Sequence, residues 1–142
     1  MPISALPSRY GIGTIGRAAY DFADFLKEAG QKYWQILPLG PTGYGDSPYS
    51  SFSAYAGNPY LIDLEMLMED GLLTAEEADT CDWESDPEQA DYGKIYENRF
   101  RILQMAKDRG WKRDAAQVRR FQEENKGWLD NYALFMALKR KF

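Results

Sequence analysis

Residues 44–63, YGDSPYSSFSAYAGNPYLID, form an aromatic loop whose side chains are suited to binding a sugar. Aromatic rings stack on the apolar C–H face of a sugar, while hydroxyls and amides hydrogen-bond to its rim. The aromatic loop supplies the rings Tyr44, Tyr49, Phe52, Tyr55 and Tyr60, and the short polar side chains Ser47, Ser50, Ser51, Ser53 and Asn58. From composition alone, sugar binding and an internal packing cluster are equal alternatives, and Phe52 and Tyr60 are assigned mainly to packing.

Charge is almost absent around the aromatic loop. The thirty residues from Tyr33 to Ile62 contain one charged residue, Asp46. The chain average of 27% charged residues would give about eight in that length. A purely solvated loop is not expected to be so depleted. Asp46, between Gly45 and Ser47, is interpreted as a turn residue, and Asp63 as the N-cap of a helix that begins at Leu64.

Residues 11–16, GIGTIG, match the G-x-G-x-x-G pattern of dinucleotide-binding turns. Such a turn follows a buried apolar strand, and an acidic residue after the next strand holds the ribose. Here the preceding SALPSRY contains Pro7, Arg9 and two serines, and the following YWQILPLG contains no acid. The pattern therefore favours a loop that enters a helix, and no cofactor is expected.

Composition excludes several kinds of chemistry. The 142 residues include no histidine and a single cysteine, Cys81, which excludes histidine-based triads, Cys or His metal sites and internal disulfides. The net charge of −5 makes nucleic acid an unfavourable partner. With no apolar run of membrane-spanning length and no signal-peptide pattern, a cytoplasmic protein without membrane contact is expected. Any acid–base chemistry must use carboxylates, in this chain or outside it.

The elements that position the aromatic loop are predicted to be of the α/β class. Residues 15–30, IGRAAYDFADFLKEAG, have helical spacing of apolar residues and a C-terminal cap at Gly30. Residues 33–40, YWQILPLG, have no polar face and predict a buried parallel strand. The aromatic loop follows that strand, where barrels and open sheets carry their active sites.

The remainder of the chain is predicted to be mostly helical. A short helix from Leu64 stops at Gly71, and Thr74 and Glu77 have capping-box spacing. Residues 80–90 are predicted to be an acidic surface connection. Residues 114–125 predict an amphipathic helix, and residues 127–142 a helix that is apolar nearly all round. A helix over residues 91–109, capped by Gly110, has one apolar side: Tyr92, Ile95, Tyr96, Ile102, Leu103 and Ala106.

Residues 32–64, KYWQILPLGPTGYGDSPYSSFSAYAGNPYLIDL, closely resemble the signature of the 4-α-glucanotransferases of glycoside hydrolase family 77. That family includes bacterial amylomaltases and plant disproportionating enzymes. SALPSRYGIGTIGRAAYDFADFLKEAG and WLDNYALFMALK resemble two further segments of it. The resemblance spans essentially the whole chain, is strongest between Ser4 and Leu64, and also argues against a nucleotide site at GIGTIG.

The resemblance implies the N-terminal part of a (β/α)8 barrel with additional helices, incomplete as a barrel within this chain. Residues 1–64 would form the first βα units, and residues 65–142 a mostly helical subdomain. The implied reaction is retaining transfer of an α-1,4-glucan segment to the 4-hydroxyl of an acceptor, either glucose or a maltodextrin. In this family the catalytic aspartate, glutamate and stabilising aspartate lie downstream of the matching segment. No catalytic residue is therefore assigned here, and this chain by itself is expected to be inactive.

Four residues carry over as substrate contacts. Ser47 and Tyr49 match the stretch beside the cleavage point, where the tyrosine meets a donor-side sugar. Tyr44 and Tyr96 match two aromatics that, in some relatives, hold glucan at a second site, although Tyr96 also fits a core position of its helix. The alternatives are a stand-alone carbohydrate-binding module and, more remotely, an NAD-dependent oxidoreductase based on GIGTIG.

Overall fold

The computed structural model describes residues 1–83, 86 and 88–142, and its regular structure is helical. Two 3-10 turns, Ile3–Ala5 and Pro59–Leu61, lie in the N-terminal half. Within the described residues, six α-helices follow one another: α1 (Arg17–Glu28), α2 (Leu64–Glu69), α3 (Ala75–Asp79), α4 (Tyr92–Arg113), α5 (Ala115–Glu124) and α6 (Lys126–Lys141). None of them is long and apolar enough to cross a membrane.

The chain divides into two compact units, Met1–Ala106 and Lys107–Phe142. The first unit contains three clusters of buried apolar residues. The largest lies between the 64–83 region and α4; a second joins the N-terminal turn to α1; the third joins Ile12 and Tyr60 to α4. Their buried members are, in that order, Tyr10, Leu64, Leu73, Ala78, Trp83, Ile102 and Ala106; then Ile3, Leu6 and Ala19; then Ile12, Tyr60 and Ile95.

The ends of α1 and α2 confirm the sequence signals for them. Gly30 and Gly71 both have positive φ, at 74° and 70°. Beyond α1, the Gln31 N–H donates to the Leu26 carbonyl over 2.8 Å, and the Gly30 N–H to the Lys27 carbonyl over 3.0 Å. This pair of bonds is the Schellman arrangement, which places the last carbonyls of a helix against a left-handed glycine.

The starts of α2 and α3 are capped by the predicted side chains. Asp63 Oδ1 accepts from the Met66 N–H at 2.8 Å, so Asp63 is the N-cap of α2. The Thr74 hydroxyl accepts from the Glu77 N–H, and the Glu77 carboxylate accepts from the Thr74 N–H. The capping box predicted for α3 is therefore confirmed.

The predicted buried strand at 33–40 is not present in this structure. These residues belong to no strand, and the side chains of Tyr33, Ile36 and Leu37 are exposed. A strand exists only when a neighbour takes up its backbone hydrogen bonds. No strand lies beside them among the described residues. The β-type pairing recorded there is an isolated bridge between Asp86 and Gln89.

Helix α4 differs from its prediction at its C-terminal end. It continues through Gly110 to Arg113, so Gly110 does not cap it. In the preceding connection, Trp83 is buried and its indole N–H donates to the Ala78 carbonyl at 2.9 Å. The prediction of a surface connection over 80–90 is therefore wrong at Trp83, and Glu84, Ser85 and Pro87 lie outside the described residues.

The unit Lys107–Phe142 contains α5 and α6, near their predicted positions, and neither helix has a buried residue. Apolar side chains of α6 remain exposed, among them Leu134, Phe135 and Leu138. This agrees with the expectation that a helix apolar nearly all round lacks cover from its own polar neighbours.

Candidate functional site

The aromatic loop is held at its base by backbone contacts. The Asn58 N–H donates to the Leu39 carbonyl at 2.7 Å, which closes the stretch between these residues. Asn58 Oδ1 accepts from the Tyr60 N–H at 3.0 Å and caps the turn Pro59–Leu61. Beyond that turn, the Ile15 N–H donates to the Leu61 carbonyl. Asn58 therefore shapes the loop.

Asp46 lies in a tight turn, which confirms its interpretation as a turn residue. Its N–H donates to the Gly43 carbonyl at 3.2 Å, and its carboxylate accepts from the Thr42 hydroxyl at 3.1 Å. The φ of Asp46 is 51° and that of Gly45 is 90°. Two successive left-handed residues are tolerated because one is glycine and the other is an aspartate, which adopts this conformation more readily than most residues.

Serine side chains satisfy much of the backbone of the loop tip. The Ser53 hydroxyl accepts from the N–H groups of Tyr55 and Ala56, at 3.2 and 3.0 Å. The Ser51 hydroxyl donates to the Ser53 carbonyl at 2.8 Å. These two serines are therefore occupied by the loop itself. Ser47 is half-buried, and its hydroxyl has no hydrogen-bond partner within the described part of the chain.

The tyrosines predicted to contact substrate point into solvent. Relative exposure is 109% for Tyr44, 75% for Tyr49 and 63% for Tyr96. Rings of a private packing cluster would be covered, as Tyr60 is, with 6% exposure. The packing alternative therefore accounts for Tyr60 but not for Tyr44 or Tyr49. It also does not account for Tyr96, which is not a core position of α4.

A row of ring contacts connects Tyr96 to the aromatic loop. The Tyr96 ring meets Phe100 at a centroid distance of 5.5 Å, and Phe100 meets Tyr60 at 5.9 Å. Tyr92, one turn before Tyr96 on α4, lies 6.3 Å from Tyr60. No ring contact joins Tyr44 or Tyr49 to Tyr96 across residues 1–83, 86 and 88–142. The sequence reasoning missed Phe100, whose spacing of four residues from Tyr96 was the available signal.

A small cavity lies beneath the loop, in the first unit. It has a volume of about 90 Å³, and Asp46, Asn58, Tyr60 and Tyr92 are among the residues that line it. Pockets that enclose a ligand of oligosaccharide size measure roughly 300–1,000 Å³. A sugar would therefore have to lie on the open side of the loop, where the exposed tyrosines are.

The electrostatics beneath the loop suit neutral tyrosines. Burial, with the nearby Asp46 carboxylate, raises the pKa of Tyr60 to about 12. The same two causes raise the pKa of Tyr92. Both phenols therefore stay protonated at neutral pH and provide hydroxyl groups rather than bases.

The carboxylates around the loop are engaged in holding the structure. Asp46 accepts from Thr42 within its turn, and Asp63 caps α2 while also accepting from the Thr14 hydroxyl. Among the described residues, no group of three His, Cys, Asp or Glu side chains could hold a metal ion. Nothing in this geometry assigns catalytic work to Asp46 or Asp63.

The glycines of GIGTIG serve close packing. A Cβ on Gly13 would overlap the Ile3 carbonyl, and a Cβ on Gly16 would overlap the Asp63 carboxylate. The segment precedes α1 but follows a 3-10 turn rather than a strand. The space that a pyrophosphate would need is taken up by the chain itself, so the nucleotide interpretation has no structural support.

Comparison with known proteins gives a consistent result. The sequence model of a family described as 4-alpha-glucanotransferase matches residues 1–142. A 4-alpha-glucanotransferase of Clostridium butyricum is 53% identical over 142 residues, which is 100% of this chain and 29% of the relative. One of Thermus thermophilus is 51% identical over 141 residues, covering 96% of this chain and 27% of the relative. The chain thus spans less than a third of the length of these relatives.

The backbone is also similar to that of a solved structure. It matches an amylomaltase from Streptococcus agalactiae in complex with acarbose, with a TM-score of 0.94 and 44% sequence identity. The match covers 100% of this chain and 29% of the amylomaltase. Residues 33–40, predicted to form a strand, are therefore included in the likeness.

Proposed function

This chain belongs to the 4-alpha-glucanotransferase family, and we propose that it takes part in the retaining transfer of α-1,4-glucan segments to the 4-hydroxyl of glucose or a maltodextrin. The observation that carries the proposal is the family match over residues 1–142, with 53% identity to the Clostridium butyricum relative. The acarbose bound to the Streptococcus agalactiae amylomaltase supports a saccharide ligand for this chain. The Clostridium butyricum and Thermus thermophilus relatives are both named as transferases, so a stand-alone binding module has no support.

Within this function, we assign substrate contact to Ser47, Tyr49, Tyr44 and Tyr96. Tyr49 and Ser47 would meet the donor-side sugar, with the exposed ring stacking on its C–H face and the unoccupied hydroxyl reaching its rim. Tyr44 and Tyr96 would hold glucan at a second site. Their exposure supports these roles, because binding can cover each ring without opening a packed core.

The catalytic carboxylates of the reaction are proposed to lie outside residues 1–142. Retention requires a nucleophilic carboxylate and an acid/base carboxyl about 5 Å apart across the scissile bond. The Asp46 carboxylate accepts a hydrogen bond within its turn, and the Asp63 carboxylate caps α2. These structural roles support assigning neither of them to catalysis. The 142-residue chain alone should therefore bind glucan weakly and transfer none.

We further propose that residues 33–40 become a barrel strand once neighbouring strands of the family fold are present. Their apolar, uncharged sequence and the match over the whole chain to an amylomaltase support this. Residues 1–64 would then be the first βα units and residues 65–142 a mostly helical subdomain. A cytoplasmic location also remains a prediction.

The test compares this chain alone with a chimera in which it replaces the matching 29% of the Clostridium butyricum relative. With maltotriose, the chimera should release glucose and longer maltodextrins, and the chain alone should release neither. Transfer by the chain alone would overturn the assignment of the carboxylates to another segment. A folded chimera without activity would overturn the proposed function.

Tyr49→Ala in the same chimera tests the loop contact. It should lower transfer by about a hundredfold, the effect of losing a well-placed substrate contact, while shifting Tm by less than about 2 °C. Tyr20→Ala, at an exposed ring on α1 that lies outside both the aromatic loop and the proposed barrel strand, is the control. Parallel losses of activity and Tm in Tyr49→Ala would instead indicate a packing role.

A further inference from the structure

Arg99 occupies the centre of the buried stripe of α4. Ile95 and Ile102, on either side of it along the helix, are 0% exposed, and so is Arg99 itself. Its position three or four residues from both is where the helical period would place another apolar residue. Its burial is not expected from the sequence, because arginine is normally a surface residue.

The guanidinium of Arg99 connects three separate segments of the first unit. Nη1 donates to the Tyr10 carbonyl at 3.2 Å, and Nη2 donates to the Ile62 carbonyl. The guanidinium also lies 5.9 Å from the centre of the Trp83 ring. Nε has no hydrogen-bond partner among the described residues. The two terminal nitrogens are therefore bonded to main-chain carbonyls that lie 89 and 37 residues away in sequence.

A purely structural role would be better filled by an apolar side chain. Burying a charged group whose Nε has no hydrogen-bond partner costs stability. The same burial lowers the pKa of Arg99 to about 10, although the nearby Asp63 carboxylate acts to raise that pKa. Apolar replacements of buried charges are often neutral or stabilising. What an apolar residue cannot do is hold two particular carbonyls at a set separation, as the planar fork of arginine does.

One of the two carbonyls, that of Ile62, belongs to the aromatic loop. Ile62 is the penultimate residue of the aromatic loop, directly after the turn that buries Tyr60. Tyr96 is one helical turn before Arg99 on α4. Arg99 therefore connects α4, which carries Tyr96, to the base of the loop that carries Tyr44 and Tyr49. The ring contact between Tyr60 and Phe100 is a second connection between the same two segments.

We propose that Arg99 is a positioning residue that sets the aromatic loop against α4, and so aligns the loop tyrosines with Tyr96. The sugar-binding part of this proposal rests on the proposed function. The alignment itself does not depend on it, because it concerns contacts within the ligand-free chain.

Arg99→Met removes the fork while keeping an apolar stem of similar length. The control is a substitution at Ile102, which is buried one helical turn away on α4. Ile102→Val or Ile102→Ala is used, depending on which lowers Tm by the same amount as Arg99→Met. Two quantities are measured well below Tm. They are hydrogen-exchange protection of the backbone amides at 58–62, and the affinity of the chain for maltoheptaose.

Arg99→Met should lower protection at 58–62 and affinity for maltoheptaose, each by about tenfold or more, while the Ile102 control keeps both within about twofold. If Arg99→Met does not fold, Arg99→Lys replaces it. Lysine keeps the charge but reaches one carbonyl at a time, so a smaller loss in the same direction is expected.

Equal losses in the Arg99 variant and the Ile102 control would overturn the proposal, as would unchanged protection at 58–62. A third outcome separates the two hypotheses. If the unsubstituted chain does not bind maltoheptaose but Arg99→Met still loosens 58–62 selectively, Arg99 positions the loop and the sugar-contacting role of the loop is wrong.

Discussion

Gly16 lies against the carboxylate of Asp63, and no side chain fits between them. That carboxylate accepts from the Thr14 hydroxyl and caps α2, so three segments meet at one point. The glycine spacing of GIGTIG is thus explained by close approach of the backbone to other residues. The same pattern in a nucleotide-binding turn serves the approach of a pyrophosphate.

Gly16→Ala should destabilise the chain by about 2 kcal/mol, because the new methyl group displaces Asp63 from both of its hydrogen bonds. Thermal unfolding followed by circular dichroism measures the loss. Gly57→Ala is the matched control, because a Cβ at Gly57 meets no atom within 4 Å. A Tm for Gly16→Ala equal to that of Gly57→Ala would contradict the packing account.

Tyr60 should make stability depend on pH in the alkaline range. Burial, with the nearby Asp46 carboxylate, raises its pKa from the ordinary 10.0 to about 12 in the folded chain. Between these values the unfolded state has lost the proton and the folded state retains it. The stability that the protonated phenol contributes is therefore fully present below pH 10 and is lost as the pH rises towards 12. At pH 11 the free energy of unfolding should be lower by roughly 1 kcal/mol.

Tyr60→Phe removes that dependence, so the Tm of the unsubstituted chain should fall relative to the variant between pH 9 and pH 11. Arg99 and Tyr92 are present in both proteins and cancel in the comparison. Tyr33→Phe, at a ring that is 91% exposed, is the control and should run parallel to the unsubstituted chain. Parallel curves for Tyr60→Phe as well would mean that burial does not hold the phenol neutral.

At the scale of elements, helix α3 depends on its cap more than the longer helices do. It has five residues, Ala75–Asp79, too few to be stable through its own backbone hydrogen bonds. Yet Ala78 is fully buried, and its carbonyl accepts the indole N–H of Trp83. The capping box of Thr74 and Glu77 therefore supports part of the largest core cluster as well as the helix.

Thr74→Ala should destabilise the chain by about 1 kcal/mol, the usual cost of an N-cap hydroxyl. Thr74→Ser retains the hydroxyl and should recover most of the loss, as measured by urea unfolding at constant m-value. An equal loss in Thr74→Ser would attribute the effect to the methyl group rather than to the cap.

At the scale of the whole molecule, burial is uneven between the two compact units. The unit Met1–Ala106 contains the three buried clusters, whereas α5 and α6 contain no buried residue. Hydrogen-exchange protection follows buried apolar contacts and the backbone hydrogen bonds they shield. In the isolated chain, amides of α5 and α6 should therefore exchange much faster than those around Ile95 and Ile102.

Hydrogen exchange with mass spectrometry measures this contrast, and protection differing by about a hundredfold or more is expected. In the chimera with the Clostridium butyricum relative, protection of α5 and α6 should rise, since the proposed fold covers their apolar side chains. Equal protection across the isolated chain would show that α5 and α6 are stable without such cover.

The sequence by itself determined the positions of the helices, most of the predicted caps, the loop and the family, but not the end of α4, which continues past the predicted cap at Gly110. The caps at Gly30, Asp63 and Thr74 were predictable because each signal lies within a few residues of the bond it makes. The turn at Asp46 was predictable for the same reason. The signature of residues 32–64 identified the family because it depends on residue order and not on contacts.

Only the tertiary structure decided the burial of Arg99, the close packing at Gly16 and the exposure of Tyr96. Arg99 and Tyr10 are 89 residues apart, so no local pattern indicates their contact. The predicted strand at 33–40 failed for a related reason: apolar sequence favours a strand, but only a neighbouring strand can complete its hydrogen bonds. Local propensity therefore determined where most elements begin and end, and contacts between distant segments decided which side chains are buried and which are exposed.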